Sequence, residues 1–150
     1  MKIADTAALV TGANRGLGRA LVEEALRRGA RRVYAGTRER LDSSDGRVTP
    51  VILDVTNATQ IQEAVSKVES LDILINNAGL ATYDDLSDRA AIERHLAVNL
   101  FGPYDVIQAF LPLLIRSRGA IVNILSDSAL GTLVSPAPWK ISSGARMSSR

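Results

Sequence analysis

The chain has 150 residues, 46% of them apolar and 23% charged, with no cysteine and a single histidine, His95. At roughly 100–200 residues per domain this is one globular domain; disordered and collagen-like chains, disulfide scaffolds, multi-histidine metal sites and cysteine nucleophiles are all excluded. The formal charge of +2 is owed to Lys140, Arg146 and Arg150; without them 15 Lys and Arg stand against 16 Asp and Glu, which is no footprint for nucleic acid. The segment before Ala7 carries Asp5 and no long apolar run, so no targeting signal is expected. The longest apolar stretch, Val106 to Ile115, is broken by Gln108 and Pro112 and is too short to span a bilayer. These features predict a soluble, cytoplasmic protein with no membrane partner.

In chain order, Ala7 to Val10 reads as a first buried strand. Leu17, Ala20, Leu21 and Ala25 then recur at helical spacing, with a stop near Arg28 and Gly29. Val33 to Gly36 and Val48 to Leu53 read as the second and third strands. Thr56 or Asn57 caps a helix whose Ile61, Ala64, Val65 and Val68 share a face. Leu71 to Ile75 is a fourth strand. A short helix between Leu86 and His95 is expected, then a longer one with Leu96, Leu100, Ile107, Leu111 and Leu114 on one side, bent by Pro103 and Pro112. Ala120 to Leu125 is the fifth strand. Strands that are apolar throughout and alternate with helices predict an α/β fold, a doubly wound, Rossmann-type parallel sheet of about five strands covered on both faces. Residues 1–135 form that domain. Residues 136–150, after Ser135-Pro136-Ala137-Pro138, are a Ser/Arg-rich tail without apolar periodicity.

Gly12-x-x-x-Gly16-x-Gly18 falls between a strand and a helix, the context in which a glycine pattern signals phosphate binding. Glycines permit the tight turn, and the helix beginning near Gly16 offers unpaired N–H groups and a positive dipole end to an anion. The three-then-one spacing, preceded by Thr11, resembles the opening of the short-chain dehydrogenase/reductase family. Further along, Asp54-Val55 resembles its adenine-contacting pair, and Asn76-Asn77-Ala78-Gly79 its Asn-Asn-Ala-Gly signature. Asn99 in Val98-Asn99-Leu100-Phe101-Gly102 is similar to its catalytic asparagine. Ile121 to Ser126 is similar to the strand that delivers its catalytic serine, here Ser126. The resemblance runs from residue 5 to about 130.

That resemblance implies an NAD(P)-dependent oxidoreductase acting on a small carbonyl or alcohol, usually as a homo-oligomer. It implies catalytic roles for Asn99 and Ser126, and nucleotide contacts from Gly12, Asn14, Arg15, Gly16, Leu17, Gly18, Arg38, Asp54, Val55, Asn77, Ala78 and Gly79. No metal is implied. An acid at the end of the second strand would suit a ribose 2′-hydroxyl, whereas an arginine suits a 2′-phosphate. That strand ends Ala35-Gly36-Thr37-Arg38, and Arg15 precedes the second glycine, so NADP(H) is expected over NAD(H).

The family's tyrosine and lysine are the departures. Counted from Ser126, the tyrosine is due at position 139 and the lysine at 143; the chain has Trp139 and Ser143. An indole N–H donates but does not titrate, so it cannot pass a proton to an alkoxide. Lys140, three residues out of register, points roughly 300° away from position 143 on a helix. Tyr83 follows the Asn-Asn-Ala-Gly turn but has no neighbouring lysine. The fold also reads as lacking its C-terminal part, since a fifth strand is normally covered by another helix. Three readings stay open: a reductase whose frame changes near residue 136, a nucleotide-binding module without catalysis, and a nonfunctional fragment.

Overall fold

A computed structural model describes residues 2–81 and 88–125 of the chain. Strand β1 (Ala7–Thr11) is buried at every position, as an apolar run in the middle of a two-sided sheet must be. Helix α1 (Gly16–Arg27) follows and buries Gly18, Val22 and Ala25. Strands β2 (Arg32–Thr37) and β3 (Val48–Ile52) come next. Helix α2 (Ala58–Lys67) is capped by Asn57, whose carboxamide oxygen accepts from the Gln60 N–H at 3.1 Å. Strand β4 (Ile73–Asn76) precedes the long helical run, and β5 (Ala120–Asn123) is the last described strand.

All five strands are parallel, in the order β3-β2-β1-β4-β5. The order reverses at β1, and the residues following β1 and β4 therefore flank the crevice where open α/β sheets bind ligands. One face carries Leu9, Leu74, Val106, Phe110 and Ile61; the other carries Val10, Val22, Ala25, Val33 and Ala35. Phe110 is fully buried on the first face, a placement worth about 1.5–3 kcal/mol for a side chain of that kind.

Between β2 and β3 there is no helix; residues 38–47 cross over as an irregular strap. The short and the longer helix expected on either side of His95 are both present, joined by a π turn rather than by a break in the helix. Helix α3 (Arg89–Leu96), a π turn (Ala97–Phe101) and helix α4 (Gly102–Ser117) form one continuous run. Departure from α-helical geometry thus sits around Asn99, while Pro103 and Pro112 lie within α4. The predicted face is also displaced: Gly102, Val106, Phe110, Leu113 and Leu114 are buried, whereas Leu100 is 55% exposed. Residues 106–115 are apolar on nearly every side, so periodicity alone does not choose the phase; contact with Leu9 and Leu74 does. The run from Arg89 to Ser117 has the length and composition of a bilayer span, but its Val106, Phe110 and Leu114 are packed on the sheet.

Candidate functional site

The turn after β1 is built so that three glycines do three different jobs. At Gly18 a Cβ would lie 2.1 Å from the Gly12 carbonyl oxygen, so the helix and turn approach more closely than any side chain permits. Gly12 has φ +66°, a conformation L side chains rarely adopt, and lies against Ala78. Gly16 has φ +53° and nothing within 4 Å of its would-be Cβ. The open ground at Gly16 lies directly before α1, whose cap residue Arg15 makes no side-chain capping bond. The first turn of α1 carries no acid, so its free N–H groups face that space with their positive dipole end uncompensated. Such a terminus can hold a pyrophosphate.

The turn after β4 is stitched to the glycine turn. The Thr11 hydroxyl oxygen accepts from the backbone N–H groups of Asn77 and Ala78 at 3.0 and 2.9 Å. The Asn77 amide nitrogen donates to the carbonyls of Thr11 and Gly12 at 2.9 and 3.3 Å. Ala13 N–H donates to the Gly36 carbonyl at 3.0 Å, joining the same turn to β2. The Asn77 side chain is therefore spent on the backbone of the turn, which fixes the turns after β1 and β4 against each other. Thr11 is buried, and its role as the common acceptor was not foreseen from the sequence. A hydroxyl directly before the first glycine is the signal that could have revealed it.

Asn99 stands on the π turn. Its carboxamide accepts from the Leu80 N–H and donates to the Leu80 carbonyl, both at 2.8 Å, as a strand neighbour would. The π turn thereby presents Asn99 to the segment after Gly79, and the side chain's hydrogen-bonding capacity faces that loop. Asp54 is half-buried; one carboxylate oxygen accepts from the N–H and hydroxyl of Thr56 at 2.9 and 2.7 Å. Val55 is buried against Gly102, where a Cβ would approach its Cγ2 to 2.7 Å, so its side chain belongs to the core.

The electrostatics single out two cations. Nine arginines lie between Arg15 and Arg47. Arg19 pairs with Glu23, Arg27 and Arg28 with Glu24, Arg31 with Asp72, Arg40 with Asp42 and Arg47 with Asp45, while Arg32 donates to the Thr49 hydroxyl. Hydrogen bonds from Arg27 and Arg28 hold the Glu24 carboxyl at about 2, well below the usual carboxylate range. Arg15 and Arg38 alone among the nine have no ion pair or hydrogen bond from their guanidinium groups to the described residues. They sit at the exits of β1 and β2, on the ligand edge of the sheet.

Asn14 and Leu17 belong to the same turn and the first turn of α1, Leu17 being exposed. Ser126, Tyr83, Trp139, Lys140, Ser143 and the tail lie outside the described residues.

The short chain dehydrogenase family profile matches residues 6–138. The chain belongs to the short-chain dehydrogenase/reductase family. It is 38% identical over 143 residues to a 3-oxoacyl-acyl-carrier-protein reductase of Thermotoga maritima, covering 84% of this chain and 57% of that one. A short chain dehydrogenase from Burkholderia cenocepacia, solved in complex with NADP, superposes with a TM-score of 0.85 at 43% identity, covering 93% of this chain and 61% of that one. One from Leptospira borgpetersenii, solved with bound NAD+, gives a TM-score of 0.77 at 29% identity, covering 86% of this chain and 54% of that one. The chain thus spans little more than half the length of these relatives. The Rossmann-type sheet expected from the sequence is the fold they share.

Proposed function

We propose that this chain carries the nucleotide-binding half of an NADP(H)-dependent oxidoreductase acting on a carbonyl or alcohol substrate, and that as written it binds the cofactor with little or no turnover. The observation that carries the first part is the pair of unpaired arginines, Arg15 and Arg38, flanking an open, amide-lined turn at Gly16. Two cations on one phosphate form charge-assisted hydrogen bonds that a 2′-hydroxyl cannot use. The NADP complex of the Burkholderia relative, at 43% identity, supports the same choice.

In this reading the N–H groups at Gly16, Leu17 and Gly18 hold the pyrophosphate, and Gly12 and Asn14 shape the turn. Asp54 and the backbone of Val55 border the adenine, while Ala78 and Gly79 line the ribose side. Bound there, the nicotinamide supplies or accepts the hydride; the protein must place the substrate and handle a proton. Asn99, fastened to Leu80, holds the loop beside the reacting centre, and Ser126 is the group that would orient the carbonyl. The second part of the proposal rests on Trp139 and Ser143, which stand where the family has its proton-donating tyrosine and supporting lysine. General acid–base assistance is worth about 10²–10⁴-fold, so its loss leaves weak activity at best.

Titration of the purified chain with NADPH and NADH, followed by cofactor fluorescence, tests the binding half. Saturable NADPH binding, weakened about tenfold by Arg38→Ala with NADH unaffected, is expected for one lost charge-assisted contact. Equal affinity for both nucleotides would overturn the NADP(H) assignment. NADPH oxidation in the presence of aldehydes and ketones at an ordinary enzymatic rate would overturn the claim of low turnover.

A further inference from the structure

A parallel crossover usually carries a helix that packs back on the sheet, and the β2–β3 connection has none. In its place is a cleft of about 400 Å³ between α1 and the strap of residues 38–47, lined by Ala13, Asn14, Val22, Leu26, Leu41 and Ser44 among others. The strap is tied at both ends. At its start, β2 and β3 hold Thr37, whose carbonyl accepts from the Leu53 N–H and whose hydroxyl donates to the Glu39 carbonyl. At its far end, Arg47 forks onto Asp45, with Nη2 to Oδ2 at 2.8 Å and Nε to Oδ1 at 3.1 Å, and its backbone N–H reaches Oδ1 at 2.9 Å. The same guanidinium donates through Nη1 to the Leu26 carbonyl near the end of α1, at 3.1 Å. Between these ties the only ion pair among the described residues is Arg40 with Asp42, long at 3.8 Å and solvent-exposed.

The strap therefore carries three acids, Glu39, Asp42 and Asp45, and begins at one of the two unpaired arginines. Left loose, its carboxylates compete with a phosphate for Arg38 and Arg15. We propose that Arg47 is a positioning residue: by clipping Asp45 and the α1 carbonyl of Leu26 it holds the strap back against α1. That keeps Arg15 and Arg38 available and so sets the preference for a 2′-phosphorylated nucleotide. The inference rests on the proposed NADP(H) reading and deepens it, naming a residue distant from the phosphate as a determinant of cofactor choice.

The test uses the full chain, titrated with NADPH and with NADH, in the wild type, Arg47→Ala, Arg47→Lys and Asp45→Asn, with a thermal melt of each. Loss of an exposed but anchored ion pair is expected to weaken NADPH binding about fivefold in Arg47→Ala, leaving NADH within about twofold. Arg47→Lys, which keeps the charge but not the fork, falls between. Asp45→Asn separates anchoring from net charge: it makes the chain more positive, yet the clip predicts weaker NADPH binding. An unchanged NADPH/NADH ratio in Arg47→Ala, or tighter NADPH binding in Asp45→Asn, would overturn the inference while leaving the NADP(H) reading intact. A wild type that binds neither nucleotide overturns both. If Arg47→Ala does not fold, the two conservative variants decide by the same ratio.

Discussion

The middle of the sheet and its β5 edge differ sharply in how they are held. Every residue of β1 is buried, and its exit is pinned to the exit of β4 by Thr11 and Asn77 through four hydrogen bonds. Strand β5 is exposed over three of its four residues, and among the described residues only β4 flanks it. Leu100, Phe101, Tyr104 and Ile115 of the long helical run are likewise more than half exposed. The difference teaches that the nucleotide turn is self-supporting: its glycines, hydroxyl and carboxamide satisfy one another. The chemistry that would sit past β5 has no comparable support from the described residues. A paired N–H or carbonyl is cheap to keep and costly to orphan once buried, so damage to the middle should propagate while damage to the edge should not.

The largest effect is expected for Gly18→Ala. Its methyl group would meet the Gly12 carbonyl at 2.1 Å, and separating helix from turn should cost about 3 kcal/mol, at the upper end for overpacking. Urea unfolding should show the loss, with nucleotide binding abolished. Next comes Thr11→Val, which keeps the shape but leaves the Asn77 and Ala78 N–H groups without their acceptor. About 1–3 kcal/mol is expected for an orphaned buried donor, and Thr11→Ser should restore most of it. On the outer side, Asn99→Asp replaces the donor to the Leu80 carbonyl with a repelling oxygen. It should destabilise by about 1–2 kcal/mol and disturb the loop after Gly79 without altering NADPH affinity at the glycine turn. A loss of binding as large as in Gly18→Ala would break the distinction between the two regions.

The smallest effect is electrostatic. Glu24, held at about 2 by Arg27 and Arg28, has a folded-state value below its ordinary 4.5. A depressed carboxylate contributes stability above its unfolded value and loses it as pH falls toward the folded one. Thermal melts of wild type and Glu24→Gln should therefore differ slightly at pH 6 and converge near pH 2.

Much of this was legible in the chain. Apolar runs at residues 7–10, 33–36 and 48–53, with Ile61, Ala64 and Val68 between turn signals, carried the parallel sheet because buried strands and amphipathic helices leave distinct patterns. The glycine turn and the Asn-Asn-Ala-Gly signature were legible for a different reason, since close backbone approach admits few residue types. The π turn at Asn99 was not, because a five-residue register leaves no periodic trace within a helix apolar on most sides. The clip on the strap also escaped: Leu41 is a lone apolar residue among Ser43, Ser44, Asp42 and Asp45, and the clip depends on Arg47 reaching Leu26, a contact 21 positions apart in sequence. Thr11 as acceptor and the Asn76–Asn123 pairing at 2.8 Å are likewise long-range, made only when β1, β4 and β5 align.

The most direct measurement of the central claim is a backbone amide NMR titration of the chain with NADPH. Progressive, saturable shifts at Gly16, Leu17 and Gly18, accompanied by Ala78 and Gly79 and diminished by Arg38→Ala, are the expected result. Shifts confined to the cleft between α1 and the strap at Val22, Leu26 and Leu41, or none at the glycine turn at saturating nucleotide, would contradict it.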